Sequence, residues 1–161
     1  RKRAAYEPSI RVPLLARWSA GLRAGVEVDQ LVLNLDLAPT ILDLAGAEVP
    51  ANLPGRSLLD VAGATPAPDW RRDFLYLDAW PAGRDGPFEL AVVGERYKYV
   101  RYRWGEVEEA LFDRDADPDE RTNLAQDPAF AAQVAERRAR LSGLLEEARA
   151  PGSWMEALSR E

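Results

Sequence analysis

The segment LFDRDADPDERTNLAQDP, residues 111–128, is the part of the chain whose acidic residues most invite a metal-binding interpretation. Four alternate positions are aspartates: Asp113, Asp115, Asp117 and Asp119. A helix–loop–helix calcium loop needs a glycine at position 6 and a bidentate glutamate at position 12. Counting from Asp113, those positions hold Pro118 and Leu124, and the register that begins two residues later fits no better. The spacing therefore favours a solvated acidic turn over a calcium site.

The composition limits the chemistry of this chain, because it contains no cysteine and no histidine. A thiolate nucleophile, a Ser-His-Asp triad and a His-ligated zinc are therefore excluded within it. Carboxylates, hydroxyls, tyrosines, arginines and two lysines, Lys2 and Lys98, remain. Two carboxylates can share acid–base work, and Asp78 with Glu89 is a candidate pair.

The chain has 161 residues, 47% hydrophobic and 30% charged, as in ordinary globular domains. This length predicts one domain or two small ones. A net charge of −6 argues against a nucleic-acid partner. No apolar run approaches the ~20 residues of a membrane helix, and no signal peptide is visible, so no membrane partner is expected. Because Arg1 stands where an initiator Met would be, we expect the tail of a longer protein, whose location stays open between cytoplasmic and periplasmic or secreted.

The first half of the sequence predicts a strand, a turn-rich connection and a helix, which is the order of an α/β fold. Residues 9–18 form a short apolar run, which we interpret as a buried strand. Pro13 would lie at a position whose N–H need not donate a hydrogen bond to a neighbouring strand. Asp36 is a candidate N-cap for a helix that tolerates Pro39 in its first turn, and Gly46 suits its left-handed end. The apolar residues predicted to share one face of this helix are Leu37, Ile41 and Leu44.

The second half predicts an antiparallel sheet. A Pro- and Ala-rich segment, residues 62–70, is interpreted as a boundary. Strands follow over residues 73–80, 88–104 and 108–113, the second of these being a hairpin that turns near Gly94. Consecutive strands with short connections pair antiparallel.

A long helix over residues 129–150 is predicted to cover one face of this sheet. Asp127 and Pro128 form the N-cap and first-position pair that begins such a helix. Its apolar stripe consists of Phe130, Val134, Leu141, Leu145 and Ala148. The acid-rich segment thus links the last strand to the helix, where Asn123 can hydrogen-bond to nearby backbone.

Several stretches, in order along the chain, resemble type I sulfatases, the formylglycine-dependent members of the alkaline phosphatase superfamily. KRAAYEPSIRVPLLARW (residues 2–18) resembles the family's K-R-x-x-Y-E-x-S-x-R-x-P-L segment. LVLNLDLAPTILDLAG (31–46) and LPGRSL (53–58) resemble its D-x-x-P-T-x-L-x-x-x-G and G-R-S-L segments. ERYKYVRY (95–102) resembles the tract before the acidic turn. LFDRDADPDERTNLA (111–125) resembles L-[YF]-D-x-x-x-D-P-x-E-x-x-N-L, and together the matches span almost the whole chain.

The resemblance implies an α/β fold that becomes α+β in its second half. Residues 1–66 would be the end of an alkaline-phosphatase-like catalytic domain. Residues 67–161 would be a small subdomain, an antiparallel sheet packed by one long C-terminal helix. The parent would cleave sulfate esters of a small molecule or carbohydrate, using a formylglycine made from Cys or Ser and a divalent cation, calcium. The [CS]-x-P-x-R motif, the calcium ligands and the histidines are absent here, so the isolated chain is expected to be inactive without the missing N-terminal part.

The resemblance also assigns candidate site residues. Lys2 matches the family's lysine that reaches the sulfate group, where an ammonium offers a compact charge with three donors. Trp80 and Arg84 lie in the segment DAWPAGRDGPF, between two predicted strands, and are candidate substrate-binding residues. Glu7 and Arg11 match the family too and are interpreted as a structural ion pair or cap.

Two other functions compete with a sulfatase. The chain could be the tail of a related phosphonate or phosphodiester hydrolase of the same superfamily. It could also be a stand-alone interaction module without catalysis. The residues that precede Arg1 distinguish these, because a [CS]-x-P-x-R motif well upstream belongs only to the enzymes.

The acid-rich segment generates the first testable prediction. Because both calcium-loop registers fail, we expect the residues from Asp113 to Asp119 to bind no calcium with useful affinity. Calorimetric titration of the chain with calcium measures this directly. A saturable site tighter than about 10⁻⁴ M, within the range of genuine loops, would contradict the prediction.

Overall fold

A computed structural model describes residues 5–19, 22, 24–62, 69–71, 73–79, 88–103 and 107–148 of the chain. Contacts divide the molecule into two compact units: Arg1–Pro13 with Asp73–Glu161, and Leu14–Arg72. This division describes packing, whereas the predicted division at residues 66 and 67 concerns the family's domains and stays a prediction. No helix in the described ranges is both long enough and apolar enough to cross a bilayer.

The first unit is built on a four-stranded antiparallel sheet. Its strands are β1 (Asp73–Ala79), β2 (Phe88–Gly94), β3 (Tyr97–Tyr102) and β4 (Glu109–Asp113), adjacent in that order. The predicted antiparallel sheet is therefore confirmed. The connections between β2, β3 and β4 are too short for a parallel crossover, so these strands pair antiparallel.

One face of the sheet is covered by the long helix α4 (Ala131–Glu147), as predicted. Asp127 caps the 3₁₀ turn before it, accepting a hydrogen bond from the Ala129 N–H at 2.9 Å. The buried residues between this helix and the sheet are Phe88, Leu90, Val92, Tyr99, Leu111, Val134, Leu141 and Leu145. Full burial of a leucine such as Leu141 contributes roughly 1.5–3 kcal/mol. Of the predicted stripe, Ala148 lies beyond the helix end and is exposed.

The opposite face is covered by the N-terminal segment, which includes the short helix α1 (Glu7–Ile10). Small and apolar residues of the sheet surround its buried Ala5: Ala91, Val93, Val100, Ala110 and Phe112. The ring of Tyr6 packs on Phe112 with a centroid distance of 5.8 Å. The sheet is thus enclosed on both faces.

The prediction of a buried strand over residues 9–18 is wrong. Ser9 and Ile10 belong to α1, and the following residues form no strand. The N–H groups of Ser9 and Ile10 bond back to the Tyr6 carbonyl, which makes a helical turn and not a sheet ladder. Apolar side chains beyond it stay exposed, Leu15 at 96%.

The second unit contains α2 (Leu37–Leu44) and α3 (Leu59–Ala62). Asp36 precedes α2 and Pro39 lies in its first turn, as predicted, and Gly46 ends it at φ +65°. The Asp36 side chain, however, makes no cap to α2. It instead accepts from the N–H groups of Leu33 and Arg56 at 2.7 and 2.9 Å and pairs with the guanidinium of Arg71. This buried carboxylate thereby joins the D-x-x-P-T and G-R-S-L stretches.

Gly55 allows the same two stretches to approach closely. Its backbone has φ +98°, a conformation that L side chains rarely adopt. A Cβ there would lie 2.2 Å from the Leu35 carbonyl oxygen, far inside van der Waals contact. Both the conformation and the space therefore require glycine.

Gly55→Ala is expected to destabilise the fold more than Gly46→Ala. Gly46 also has positive φ, but a Cβ there meets no atom within 4 Å. The control should cost roughly 1–2 kcal/mol from conformation alone. The clash at Gly55 should raise the cost to roughly 3 kcal/mol or more. Urea denaturation of both variants measures the difference, and equal losses would show that the close approach to Leu35 is not maintained.

Candidate functional site

The three residues predicted to act on substrate, Lys2, Trp80 and Arg84, lie outside the described residues. Their roles stay predictions. The described residues begin shortly after Lys2, at Ala5. Ala5 is buried at 2% exposure, three residues further along.

Two buried side chains of the sheet hold the backbone of Ala5. Its N–H donates to Oε1 of Glu89 at 2.6 Å, and its carbonyl accepts from Nζ of Lys98 at 2.5 Å. Glu89 is on β2 and Lys98 on β3, and both are fully buried. The peptide groups on both sides of the Ala5 Cα are therefore satisfied by charged groups from a rigid sheet.

Lys98 is also the centre of a buried ion cluster. Its ammonium lies 3.1 Å from Oε1 of Glu7 and pairs with Oε1 of Glu120. Arg114 completes the cluster, with Nη2 at 3.3 Å from Oε2 of Glu7. Of the two expected roles for Glu7 and Arg11, the ion pair is wrong, because Glu7 pairs with cations of the sheet and the acidic turn and Arg11 is exposed. The cap is present in the backbone: Arg11 is the C-cap of α1, and its N–H donates to the Glu7 carbonyl at 2.8 Å. The expected structural role of Glu7 is confirmed.

The acid-rich segment reaches this cluster through Glu120. Its backbone takes a positive φ of 55°, which turns the residue inward to 3% exposure. Oε2 of Glu120 accepts from the N–H of Glu7 at 2.9 Å. A positive φ in a residue other than glycine is uncommon and costs free energy. The ion pair and hydrogen bond offset that cost.

Three of the aspartates of the segment, Asp113, Asp117 and Asp119, have local partners. Arg96 donates to Asp113 at 2.7 Å, and the N–H of Thr122 donates to Oδ2 of Asp117 at 2.8 Å. Asp119 pairs with Arg121 on the exposed surface at 2.8 Å. Among the described residues, no three acidic side chains are grouped so that they could hold a metal ion.

Asn123 completes the edge strand of the sheet, as its predicted backbone role requires. Its Oδ1 accepts from the N–H of Leu111 at 3.0 Å and of Ala125 at 2.9 Å. Its Nδ2 donates to the Glu109 carbonyl at 3.1 Å. The N–H of Leu124 donates to the Leu111 carbonyl at 2.9 Å. The N-L pair of the acid-rich stretch therefore takes the place of a further strand beside β4.

The candidate acid–base pair, Asp78 and Glu89, is directly opposed across β1 and β2. Glu89 is committed to the Ala5 N–H, and its second oxygen has no hydrogen-bond partner among the described residues. Burial raises the pKa of Glu89, against the opposing effect of the Ala5 hydrogen bond, and the Asp78 charge adds to the rise. Asp78 and Glu89 therefore lie on the same face of the sheet, where Glu89 binds the backbone of Ala5.

Sequence reasoning missed the roles of Lys98 and Glu120. Lys98 could have been singled out, because it is one of two lysines and lies within a strand, at a position whose neighbours are aromatic. For Glu120 the signal was its place in the D-P-x-E stretch that resembles the family, whereas its residue type gave none, since its inward direction depends on a backbone conformation that a glutamate does not favour.

Comparison with known proteins places this fold and these stretches in the sulfatase class. The solved structure of a 2-O GAG sulfatase matches with a TM-score of 0.64 and 34% identity, over 71% of this chain and 24% of that one. The family described as "N-sulphoglucosamine sulphohydrolase, C-terminal" matches residues 1–147. The chain belongs to this family of sulfatase C-terminal regions, within the alkaline phosphatase superfamily, which confirms the resemblance drawn from the sequence.

Individual relatives agree with this assignment. An N-acetylglucosamine-6-O-sulfatase of Bacteroides thetaiotaomicron is 34% identical over 151 residues, covering 91% of this chain and 26% of the relative. A phosphonate monoester hydrolase from Silicibacter pomeroyi matches in structure with a TM-score of 0.55 and 29% identity, over 71% of this chain and 24% of that one. The chain spans about a quarter of the length of these relatives.

Glu89 and Glu109 offer a matched test of the electrostatics, because their pKa values are shifted in opposite directions from the usual 4.5. The pKa of Glu89 is raised, chiefly by burial. Burial also acts to raise the pKa of Glu109, but hydrogen bonds from Tyr99 and Arg138 outweigh it and the pKa is lowered. Glu109 lies on β4 and bonds to Arg138 of α4 at 2.9 Å, on the other face of the sheet.

We expect Glu89→Gln and Glu109→Gln to respond to pH with opposite sign. With a raised native pKa, the wild type loses stability as pH rises from about 4.5 through that pKa, and Glu89→Gln avoids this loss. With a lowered native pKa, Glu109 stabilises above about 4.5, and this is lost as pH falls through the native value. Relative to wild type, the stability of Glu89→Gln should increase as pH rises, and the stability of Glu109→Gln should increase as pH falls. Urea denaturation of the wild type and both variants, at pH values on either side of about 4.5, measures these differences in stability. Parallel stability–pH curves for the two variants would refute the opposite directions assigned to the two pKa shifts.

Proposed function

We propose that the whole protein to which this chain belongs is a sulfatase that hydrolyses sulfate esters. The observation that carries the proposal is the family match over residues 1–147, which includes the segment with Lys2. The contacts support it, because the stretches that resemble the family meet in space: Glu7, Lys98 and Glu120 each come from a different one. A shared arrangement of motifs is what a retained active-site scaffold requires.

In this proposal Lys2 binds the sulfate group and stabilises its oxygens as charge develops on the leaving group. In the whole protein a formylglycine would supply the nucleophile and calcium would supply positive charge. The described residues do not fit calcium, because no acidic cluster among them could hold it. The proposed ligands and nucleophile therefore belong to other parts of the whole protein.

The proposed substrate class is a sulfated carbohydrate or small molecule. Support comes from relatives whose names specify N-acetylglucosamine 6-O-sulfate and GAG 2-O-sulfate activities. Trp80 and Arg84 would contribute to its recognition from the segment between β1 and β2. An aromatic ring and a guanidinium are suited to a sugar face and a sulfate.

The proposed partner of this chain within the whole protein is the N-terminal part of the catalytic domain. The chain carries large exposed apolar side chains in two stretches of its sequence, and their burial would be favourable. Those of the segment after α1 and of the α2 region are Val12, Leu14, Leu15, Trp18, Leu35, Leu37, Ile41 and Leu44. Coverage by the remaining three quarters of the protein would remove them from water.

A phosphonate hydrolase is the second candidate, favoured by the structural match to the enzyme from Silicibacter pomeroyi. Comparing kcat/KM of the whole protein for an aryl sulfate and an aryl phosphonate decides between them. We expect the sulfate to be preferred. Preference for the phosphonate would establish the alternative, and turnover of neither would favour an interaction module.

Lys2→Ala in the whole protein is expected to lower kcat by about 10²–10³, the usual loss when one preorganised donor is removed. Lys2→Arg should rescue poorly, because a planar fork does not place its charge where an ammonium did. Steady-state kinetics with an aryl sulfate and the melting temperature measure both effects. Arg1→Ala and Arg3→Ala are the controls and should be milder. Near-normal kcat in Lys2→Ala, or activity lost only through unfolding, would refute the assignment to Lys2.

A further inference from the structure

We propose that Glu89 and Lys98 are positioning residues for catalysis: by holding the two peptide groups of Ala5, they anchor the chain three residues after Lys2. The inference rests on the proposed role of Lys2. It concerns side chains of the C-terminal sheet that touch no substrate. Their effect on the reaction would be transmitted through the backbone.

The geometry supports a directed function for these two side chains. Glu89 and Lys98 point to the same face of the sheet, since Glu89 pairs with Tyr102 and Lys98 with Val93 in the β2–β3 register. Their positions are thus four residues apart along β2, or about 13 Å. Both nevertheless converge on one residue, at 2.6 Å from its N–H and 2.5 Å from its carbonyl.

A second attachment prevents the segment from pivoting about Ala5. Glu120 accepts from the N–H of Glu7 at 2.9 Å, and Glu7 itself pairs with Lys98. Residues 5–7 are therefore held at three backbone groups by three side chains that are each at most 3% exposed. A change in any of them would move the segment as a unit.

Two other ion pairs of the unit serve as a comparison. Arg138 binds Glu109, and Arg140 binds Asp73 at 2.8 Å, each linking α4 to a strand. Those pairs hold helix to sheet and involve no backbone group of the N-terminal segment. The group around Ala5 is therefore distinguished by its target, a stretch of main chain next to Lys2.

Covalent geometry transmits this restraint to Lys2. Three residues extend over at most about 11 Å, so Lys2 cannot lie farther than that from the fixed Ala5. Binding groups act only when they are held close to the productive geometry, and a displacement of about 1 Å from a distant change can cost ~10²-fold in rate. Loosening Ala5 should therefore lower kcat through Lys2.

A double-mutant cycle in the whole protein tests this. Glu89→Ala removes the acceptor, and Glu89→Asp keeps the charge but withdraws it by one bond, about 1.5 Å. Each is made alone and with Lys2→Ala. Glu89→Gln, which retains an acceptor oxygen, is the conservative variant. Glu109→Ala is the matched control, because Glu109 is a largely buried glutamate of the same sheet whose partners lie on the α4 face. The readouts are kcat and KM with an aryl sulfate, well below each melting temperature.

We expect Glu89→Ala and Glu89→Asp to lower kcat by about tenfold or more in the presence of Lys2, and by less than about twofold once Lys2 is alanine. Glu89→Gln should keep most of the activity, and Glu109→Ala should lower the melting temperature with kcat near wild type. If the Glu89 variants lost kcat by the same factor with Lys2 and with alanine in its place, the positioning role alone would be overturned. An equal loss of kcat in Glu109→Ala would overturn it too. A wild type without sulfate turnover would overturn the proposed function and the inference with it. An unaffected Lys2→Ala would overturn the assignment to Lys2 and the positioning role together.

Discussion

The first unit depends on the burial of one ammonium group, that of Lys98. An isolated charge taken out of water costs several kcal/mol, so Lys98 can be buried only when its partners surround it. Those partners are Glu7, Glu120 and the Ala5 carbonyl. They come from the N-terminal segment and from the turn after β4, far apart in sequence. Folding of the sheet is thereby coupled to docking of both, because losing either one removes part of the negative charge that offsets the burial of Lys98.

The charge balance around Lys98 explains why neighbouring carboxylates differ. Glu7 faces both Lys98 and Arg114, and these charges outweigh burial so that its pKa is lowered. Glu89 has a backbone N–H as its near partner and the Asp78 carboxylate opposite, so burial dominates and its pKa is raised. Glu7 and Glu120 thus pair with Lys98, and Glu7 also with Arg114, whereas the near partner of Glu89 is the Ala5 N–H. This backbone donor satisfies one oxygen of Glu89 at a place where burial raises its pKa.

Sequence patterns predicted what local physics determines. Strand-length segments joined by short connections identified the four strands, and Asp127 with Pro128 identified the start of the long helix, because these signals need no distant partner. The predictions failed where the structure of a segment depends on contacts with a distant part of the protein. The run over residues 9–18 is as apolar as a strand, yet none of its side chains is buried within this chain. Contacts such as Glu7 to Glu120, 113 residues apart, are invisible to periodicity. Lys2, Trp80 and Arg84 were predicted only by resemblance, and their placement lies outside the described residues.

The acid-rich segment shows why a charge pattern alone is a poor guide to a metal site. Asp113 accepts from Arg96, and Asp117 accepts from a backbone N–H within the turn. That turn then presents Glu120 at a positive φ, the one conformation that directs its carboxylate toward Lys98 and Glu7. In the second unit the carboxylate of Asp36 likewise joins separate stretches, because it accepts from the Arg56 N–H and pairs with Arg71. In both units a buried carboxylate joins stretches that the sequence keeps apart. The acids of this chain are therefore explained by the backbone they organise.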